Sequence, residues 1–213
     1  PVENAPGLSP HPWPSEPACD HFDRPSLSHH WNLLRTPRTP FHSLDERPGH
    51  LRLYLRPQGL TEWSNPAFLG RRLQHYDFAV RTVMDFSPET ANECAGLVLM
   101  QNADNQFRFL REGGKVVVTQ RRQGEERVLG SLPADEGLAY LKVEGRGQSY
   151  SFYYGASPES WVSVAQEADG RVLSTQVAGG FVGAYVGVYA SANGESSSHS
   201  ADFDYFEYAP LGQ

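Results

Sequence analysis

Short runs in which apolar and polar positions alternate make up most of the chain. The segment HLRLYLR, residues 50–56, alternates polar side chains with Leu and Tyr, which is typical of a strand with one buried face. Nine further runs follow the strand pattern: YDFAVRTVMDF (76–86), AGLVLMQ (95–101), NQFRFLR (105–111), KVVVTQRR (115–122), LAYLKVEG (138–145), SYSFYYG (149–155), WVSVAQ (161–166), AYVGVYA (184–190) and ADFDYFEY (201–208). Turn residues separate these runs, and no helical period extends beyond about one turn. The pattern predicts an all-β fold, a two-sheet antiparallel β-sandwich of the jelly-roll type, with about six or seven strands in each sheet.

The first part of the chain has a different composition. Residues 1–17 contain six prolines and no apolar periodicity, and they include Trp13. Because proline lacks a backbone donor and favours extended backbone, this segment is predicted to be a linker or a surface strap, with Trp13 as an anchor. We therefore divide the chain into a proline-rich linker or strap over residues 1–18 and a β-sandwich module over residues 19–210.

The charge of the chain excludes one class of partner. The formal net charge of the 213 residues is −7, and no run of basic residues is longer than a pair. A nucleic-acid-binding surface is therefore not expected. No apolar stretch approaches the roughly 20 residues that span a bilayer, so we expect no membrane partner. The chain begins with proline and shows no signal-peptide pattern; whether it is a piece of a longer protein is left open, and so is its compartment.

Catalytic signatures are weak along the whole sequence. The two cysteines, Cys19 and Cys94, lie far apart and lack metal-type spacing, so they are interpreted as free thiols or one incidental bridge. Asp202 and Asp204 share a strand face and are the best candidates for a pair of glycosidase carboxylates. An alternative is that they are solvated charges among the aromatic residues of the last strand. The sequence therefore argues against an independent enzyme.

Seven stretches together resemble the C-terminal concanavalin A-like module of glycoside hydrolase family 43 β-xylosidases, also classed as carbohydrate-binding module family 91. They are DHFDRPSLSHHWNLLRTPR (20–38), ERPGHLRLYLRP (46–57), NPAFLGRRLQHYDF (65–78), AGLVLMQN (95–102), GQSYSFYYG (147–155), LSTQVAGGFVGAYVGVYASANG (173–194) and ADFDYFEY (201–208). The resemblance implies a non-catalytic module, because in that family a five-bladed propeller supplies the catalytic acids. No propeller motif occurs in this chain.

The resemblance also assigns a role to Phe181. In the family, a loop of the sandwich lays a Phe against the xylose-binding pocket of the propeller, and Phe181 in GGFVGA matches that position. Glycines on both sides allow a tight protruding turn, and a rigid ring offers a large apolar area. The alternative is an ordinary core Phe at the start of a strand.

Binding of xylan or xylo-oligosaccharides would require flat rings and polar side chains around them. The candidate rings are Trp63, Trp31 and Tyr76. The polar candidates are Arg71, Arg72, Gln74 and His75, with Gln101 and Asn102 as further partners. Each has another interpretation: Trp31 suits the core, and the arginine pair suits an interface with the propeller.

No cofactor is required, but sandwiches of this class often carry a structural calcium. Asp20 or Asp23, the carbonyl oxygen of Gly49, and Asp204 could supply the oxygen ligands that calcium prefers. The alternative is that these acids cap turns and contact solvent or arginine.

The first of two hypotheses of function is the leading one, and the second is its alternative. The first is a non-catalytic carbohydrate-binding accessory module of a xylan-degrading glycoside hydrolase. The second is a structural module that packs on a β-propeller catalytic domain and completes its active-site pocket with Phe181.

Overall fold

The computed structural model describes Gly7 and residues 17–212. The predicted linker therefore lies almost entirely outside the described residues, and so does Trp13. The module boundary at residues 18 and 19 remains a prediction. None of the helices in the described part is long and apolar enough to cross a membrane.

Fifteen strands and two single-turn helices make up the described chain. The strands are β1 (Cys19–Asp20), β2 (Asn32–Leu33), β3 (His42–Ser43), β4 (Leu51–Tyr54), β5 (Ala67–Arg72), β6 (Phe78–Asp85), β7 (Cys94–Asn102), β8 (Asn105–Glu112), β9 (Lys115–Arg122), β10 (Glu125–Pro133), β11 (Leu138–Arg146), β12 (Ser149–Ser157), β13 (Ser160–Asp169), β14 (Tyr185–Ser191) and β15 (Ser200–Pro210). A 3₁₀ helix (Gly170–Leu173) and the helix α1 (Thr175–Ala178) connect β13 to β14.

The strands form two antiparallel sheets. The eight-stranded sheet has the order β13-β12-β11-β6-β15-β4-β3, with β1 paired to β15. The seven-stranded sheet has the order β10-β9-β8-β7-β14-β5-β2. All ten alternating runs of the sequence lie on strands, and the predicted two-sheet sandwich is confirmed.

The core lies between the two sheets and is rich in aromatic side chains. Phe107 of the seven-stranded sheet and Phe152 of the eight-stranded sheet are fully buried, with ring centroids 5.5 Å apart. Burying such a side chain contributes about 1.5–3 kcal/mol each time. The apolar positions of the alternating runs thus lie on the face of each strand that points into this core.

The two sheets meet along one edge, where β10 contacts β13. Gly130 of β10 lies against the backbone of β13, and a Cβ atom there would be 1.8 Å from the carbonyl oxygen of Val164. Only glycine fits such an approach without a shift of the backbone. The edge strands therefore close against each other on this side of the sandwich.

Both cysteines are free thiols in the described structure, as one of the two interpretations predicted. Cys94 is buried in β7 and Cys19 is half-buried in β1. Burial raises the pKa of each thiol to about 11. The two thiols are therefore protonated and unreactive at neutral pH.

Candidate functional site

The Phe181 loop, residues 179–183, connects α1 to β14 at one end of the sandwich. Gly179 and Gly180 have positive φ angles of 71° and 76°, a conformation that other residues rarely adopt. Phe181 follows them and is fully exposed, with a relative accessibility of 106%. The ring therefore projects into solvent, and Phe181 is not a core residue.

Side chains at the ends of β7 and β5, the two strands that flank β14, hold the Phe181 loop. Asn102 Nδ2 donates to the carbonyl oxygen of Ala178 at 3.0 Å, and Gln101 Nε2 donates to the carbonyl oxygen of Val182. Arg72 Nη1 donates to the carbonyl oxygen of Gly183 at 2.9 Å. The backbone is thus fixed on both sides of Phe181.

The orientation of the Asn102 amide is itself set by the β7–β8 turn. Asn102 Oδ1 accepts hydrogen bonds from the backbone N of Asp104 at 3.1 Å and from Asn105 Nδ2 at 3.0 Å. These bonds leave Nδ2 directed at the loop. Gln101 and Asn102 were predicted to contact sugar, but the structure shows that their amide groups bind the loop backbone.

A groove of about 520 Å³ lies on the outer face of the seven-stranded sheet. Phe68 and Met100 contribute buried apolar surface to it, and Trp63 and Tyr185 contribute aromatic rings. Val182 also lines the groove, so the groove extends to the residue next to Phe181. We call it the outer groove.

Trp63 is almost completely exposed at the border of the outer groove, with 96% relative accessibility. The guanidinium carbon of Arg35 lies 5.2 Å from the centre of the Trp63 ring system. Arg35 Nη1 also donates to the carbonyl oxygens of Glu62 at 3.0 Å and of Ser64 at 2.7 Å, the residues before and after Trp63. One arginine therefore binds the backbone on both sides of Trp63 and lies near its ring.

A second arginine–aromatic pair lies at the base of the Phe181 loop. The guanidinium carbon of Arg72 is 4.2 Å from the centre of the Tyr185 ring, while its Nη1 binds the loop at Gly183. Arg72 is exposed, as a binding or docking role requires. It therefore links the loop to the start of β14.

Gln74, His75 and Tyr76 border a second hollow of about 500 Å³, which Gly183 also lines. The hydroxyl of Tyr208 accepts from the backbone N of Gln74 at 2.8 Å and from that of His75 at 3.0 Å. Tyr76 is 83% exposed. The predicted residues Phe181, Arg72 and Gln74 to Tyr76 thus lie at the same end of the sandwich, with the loop between the two hollows.

Two residues that were predicted to bind sugar, Trp31 and Arg71, are buried in this structure. Trp31 is only 8% exposed, its ring contacts Phe206 at 5.0 Å, and its Nε1 donates to Asp20 Oδ2 at 2.8 Å. Arg71 is 4% exposed, with its guanidinium carbon 4.9 Å from the centre of the Tyr208 ring. Neither side chain presents a surface to a polysaccharide, because each packs inside the domain.

The predicted calcium ligands do not gather into a side-chain site. Asp20 accepts from the backbone N of Phe22 at 3.0 Å as well as from Trp31, so both its oxygens have protein partners. Asp23 and Asp204 are exposed. Within residues 17–212, no three His, Cys, Asp or Glu side chains come close enough to hold a metal ion. Gly49 has a φ of 74° in the turn before β4, which accounts for glycine at that position. The side chains do not fit a calcium site, and the calcium stays a prediction from the resemblance.

Asp202 belongs to a network of arginines. Its oxygens accept from Arg52 Nε at 2.7 Å and from Arg47 Nη1 at 2.9 Å, and Arg47 also binds Asp85 at 2.8 Å. Burial raises the pKa of the Asp202 carboxyl, but the hydrogen bonds from Arg52 and Arg47 outweigh burial and lower it overall. A carboxyl held ionised by two arginines is a poor general acid, and its neighbour Asp204 is exposed beyond a β-bulge.

Residues 19–209 match the family described as the β-xylosidase C-terminal concanavalin A-like domain. This chain belongs to that family. It is 33% identical over 212 residues to a non-reducing-end α-L-arabinofuranosidase of Bacteroides ovatus, covering 97% of this chain and 40% of that protein. It is 30% identical over 207 residues to a β-xylosidase of Bacillus subtilis, covering 90% of this chain and 38% of that protein.

Solved structures agree with the assignment of this β-xylosidase C-terminal domain. A GH43 protein of Bacillus licheniformis has a TM-score of 0.90 and 30% identity, over 98% of this chain and 42% of that chain. A xylan β-1,4-xylosidase of Bacillus halodurans has a TM-score of 0.87 and 31% identity, over 95% and 41%. The chain spans about 40% of the length of the relatives it matches. The resemblance stated from the sequence is confirmed.

Sequence reasoning missed Arg35 and Tyr185, which contribute to the outer groove of this C-terminal domain. Arg35 contacts residues 27 and 29 positions further along the chain. Tyr185 falls inside a strand pattern and reads as one more alternating apolar residue. No local signal distinguishes either residue, because both roles depend on pairing between distant segments.

Proposed function

We propose that this chain is an accessory module that packs on the catalytic domain of a GH43 hydrolase and completes its active-site pocket with Phe181. The observation that carries the proposal is the fully exposed ring on a loop fixed by three side chains. Ordering a residue costs about 1–2 kcal/mol of backbone entropy. An apolar ring that stays in water contributes no hydrophobic free energy to offset this cost. A partner surface that buries the ring offsets this cost.

The relatives support a pentose substrate and cleavage at chain ends. One is named as a β-xylosidase, and another as an arabinofuranosidase acting at the non-reducing end. A pocket closed on one side by an aromatic ring admits a chain end and excludes the middle of a polymer. In this proposal the module supplies no catalytic acid, and Phe181 shapes the pocket in which the partner breaks the bond.

The proposal is tested by complementation. A GH43 xylosidase catalytic domain is produced without its C-terminal module, and xylose release from xylobiose is measured as this chain is added. The relative's own module serves as the positive control for docking. We expect this chain to raise kcat/KM, and Phe181→Ala to abolish the increase. Val162→Ala, which shortens an exposed apolar side chain on β13, should retain it. Equal rescue by the wild-type chain and Phe181→Ala would contradict the proposal.

A second candidate function is binding of xylan by the module itself, favoured by the exposed ring of Trp63 beside the outer groove. In a pull-down with insoluble xylan, the isolated chain should partition with the polysaccharide. A chain that stays in solution at all xylan concentrations would contradict this function and leave the Phe181 proposal standing.

A further inference from the structure

We infer that the second hollow, which Gln74 to Tyr76 border, binds a small neutral polyol of the size of a free pentose and thereby restrains the Phe181 loop. The consequence for catalysis rests on the proposed function of Phe181, whereas the binding itself does not. The volume of about 500 Å³ falls within the range of about 300–1,000 Å³ typical of small-ligand sites. We call it the loop-base hollow, because residues from both ends of the Phe181 loop line it.

A buried tyrosine contributes its hydroxyl to the loop-base hollow. Tyr150 is only 6% exposed, and its ring packs against Phe78 and Phe107 at centroid distances of 5.3 Å and 5.8 Å. Tyr150 also lines the hollow, and within the described part of the chain its hydroxyl has no hydrogen-bond partner. Burial raises the pKa of Tyr150 to about 12, so the hydroxyl keeps its proton at neutral pH and can donate. A ligand that accepts from this hydroxyl removes the cost of leaving it unpaired.

His75 adds a second donor, because Tyr208 sets its tautomer. The Tyr208 oxygen accepts from the backbone N of Gln74 at 2.8 Å and from that of His75 at 3.0 Å, so both of its lone pairs are used. The Tyr208 hydroxyl therefore donates its own proton to His75 Nδ1, which is 3.0 Å away. Neutral His75 then carries its proton on Nε2, and this N–H can donate to a ligand in the hollow.

The lining of the loop-base hollow carries no carboxylate, ammonium or guanidinium group. None of the described residues around it is Asp, Glu, Lys or Arg. Gln74, Gln148 and Gln176 contribute amide groups instead. Thr175 contributes a hydroxyl. Each hydroxyl of a polyol both donates and accepts, so it can pair with amides and hydroxyls alike, whereas an ion would lose hydration without gaining a counter-charge.

The ring of Tyr76 favours a cyclic polyol over a peptide. It is 83% exposed at the border of the hollow and offers a flat apolar surface to the C–H face of a pyranose. A bound peptide would instead need a free strand edge or apolar pockets for its side chains. The apolar residues Leu173 and Ala184, which also line the hollow, are already buried by the domain.

The position of the loop-base hollow couples it to Phe181. Thr175 and Gln176 of α1 precede the Phe181 loop, Gly183 ends it, and all three line the hollow. None of the residues of α1 is buried, so few packing contacts hold this turn. A ligand that contacts α1 and Gly183 together orders both ends of the loop, and this entropy is then no longer lost when a partner docks. Polyol binding and docking should therefore strengthen each other.

The test uses the chain alone with D-xylose as the probe. Side-chain amide resonances in ¹H–¹⁵N spectra report the site, and hydrogen–deuterium exchange reports the loop. We expect saturable shifts at Gln74, Gln148 and Gln176 with a Kd on the order of millimolar, and slower exchange at residues 174–183. D-Glucuronate, which carries a carboxylate on the same ring, should bind more weakly. Tighter binding of D-glucuronate would contradict the neutral class of ligand.

Tyr150→Phe is the decisive variant, because it removes only the hydroxyl and keeps the ring in the core. It should weaken D-xylose binding by about twofold to tenfold, the effect of one neutral hydrogen bond. Val162→Ala on β13 is the matched control and should bind as the wild type does. Unchanged affinity in Tyr150→Phe would overturn the inference, and so would the absence of shifts around the hollow at xylose concentrations far above the millimolar range.

Phe181→Ala separates this inference from the proposed function. The variant keeps every residue that lines the hollow, so it should bind D-xylose as the wild type does. Failure of the Phe181 proposal would appear in the complementation assay and leave this binding unchanged. Failure of the hollow would appear in the spectra of the chain alone. The response of position 181 to xylose in the isolated chain also gives the baseline for measurements in a complex.

Discussion

The side-chain amide of Asn102 donates a 3.0 Å hydrogen bond to the carbonyl oxygen of Ala178, 76 residues further along the chain. This bond joins the end of β7 to the base of the Phe181 loop. The exposed ring is therefore anchored to the sheet, although the loop itself packs little against the domain.

Asn102→Ala should loosen the Phe181 loop. The substitution removes the bond to Ala178 and the two bonds that Asn102 Oδ1 accepts from Asp104 and Asn105, each worth about 0.5–1.5 kcal/mol. Hydrogen–deuterium exchange should become faster at the amides of residues 179–183 and of the β7–β8 turn, with little change in the core strands. Asn32→Ala is the control, since the described hydrogen bond of Asn32 Nδ2 is to the nearby carbonyl oxygen of His30 at 2.8 Å. Identical exchange of the loop in wild type and Asn102→Ala would show that other contacts hold it.

Phe181→Ala should leave the isolated chain as stable as the wild type. A fully exposed side chain makes few packing contacts, so the free energy of unfolding should change by less than about 0.5 kcal/mol. Phe152→Ala removes a ring of the same size from the core and should cost about 3–5 kcal/mol. Urea denaturation of the two variants measures the difference. A large loss in Phe181→Ala would assign the ring to the fold instead of to a partner.

Lowering the pH should destabilise the domain, because the Asp202 carboxylate becomes protonated. Its folded-state pKa is lowered by Arg52 and Arg47 despite burial, so the carboxylate adds stability above the unfolded pKa of about 3.9. This contribution is lost as the pH falls through the folded pKa, that is, below about pH 4. Asp202→Asn should cost about 1.5–3 kcal/mol at neutral pH and flatten the acid limb of the stability profile.

Asp204→Asn is the matched control for Asp202→Asn, because Asp204 lies two residues away and is exposed. Its stability profile between pH 2 and pH 7 should follow that of the wild type. An acid limb that stays equally steep in Asp202→Asn would show that other carboxyls dominate the pH dependence.

Most of the fold could be predicted because burial imposes the period of two on each strand. Two longer strands were missed for identifiable reasons. β10 is an edge strand whose residues are mostly exposed, and it begins with Glu125 and Glu126, so its sequence resembles a charged turn. β5 is almost wholly buried and shows no alternation. Where both faces of a strand share one environment, the alternating signal disappears.

The site was only partly predictable. Phe181 is exposed, as the family resemblance implied, and Trp63 is exposed, as a sugar-binding candidate requires. Burial of Trp31 could not be separated from exposure, because its loop packs against Phe206 from the far end of the chain. The role of Asn102 depends on its hydrogen bonds to the β7–β8 turn and to the base of the loop before β14. These segments are far apart in sequence, so no local pattern predicts the contact.

The central claim is that Phe181 lies at the substrate pocket of a GH43 partner, and a fluorine label tests it most directly. With 4-fluorophenylalanine at position 181, the ¹⁹F resonance of the isolated chain should be that of an exposed ring. It should shift when the catalytic domain binds, and shift again when xylose fills the pocket of the complex. A resonance that moves on docking but ignores xylose at saturating concentration would contradict the claim.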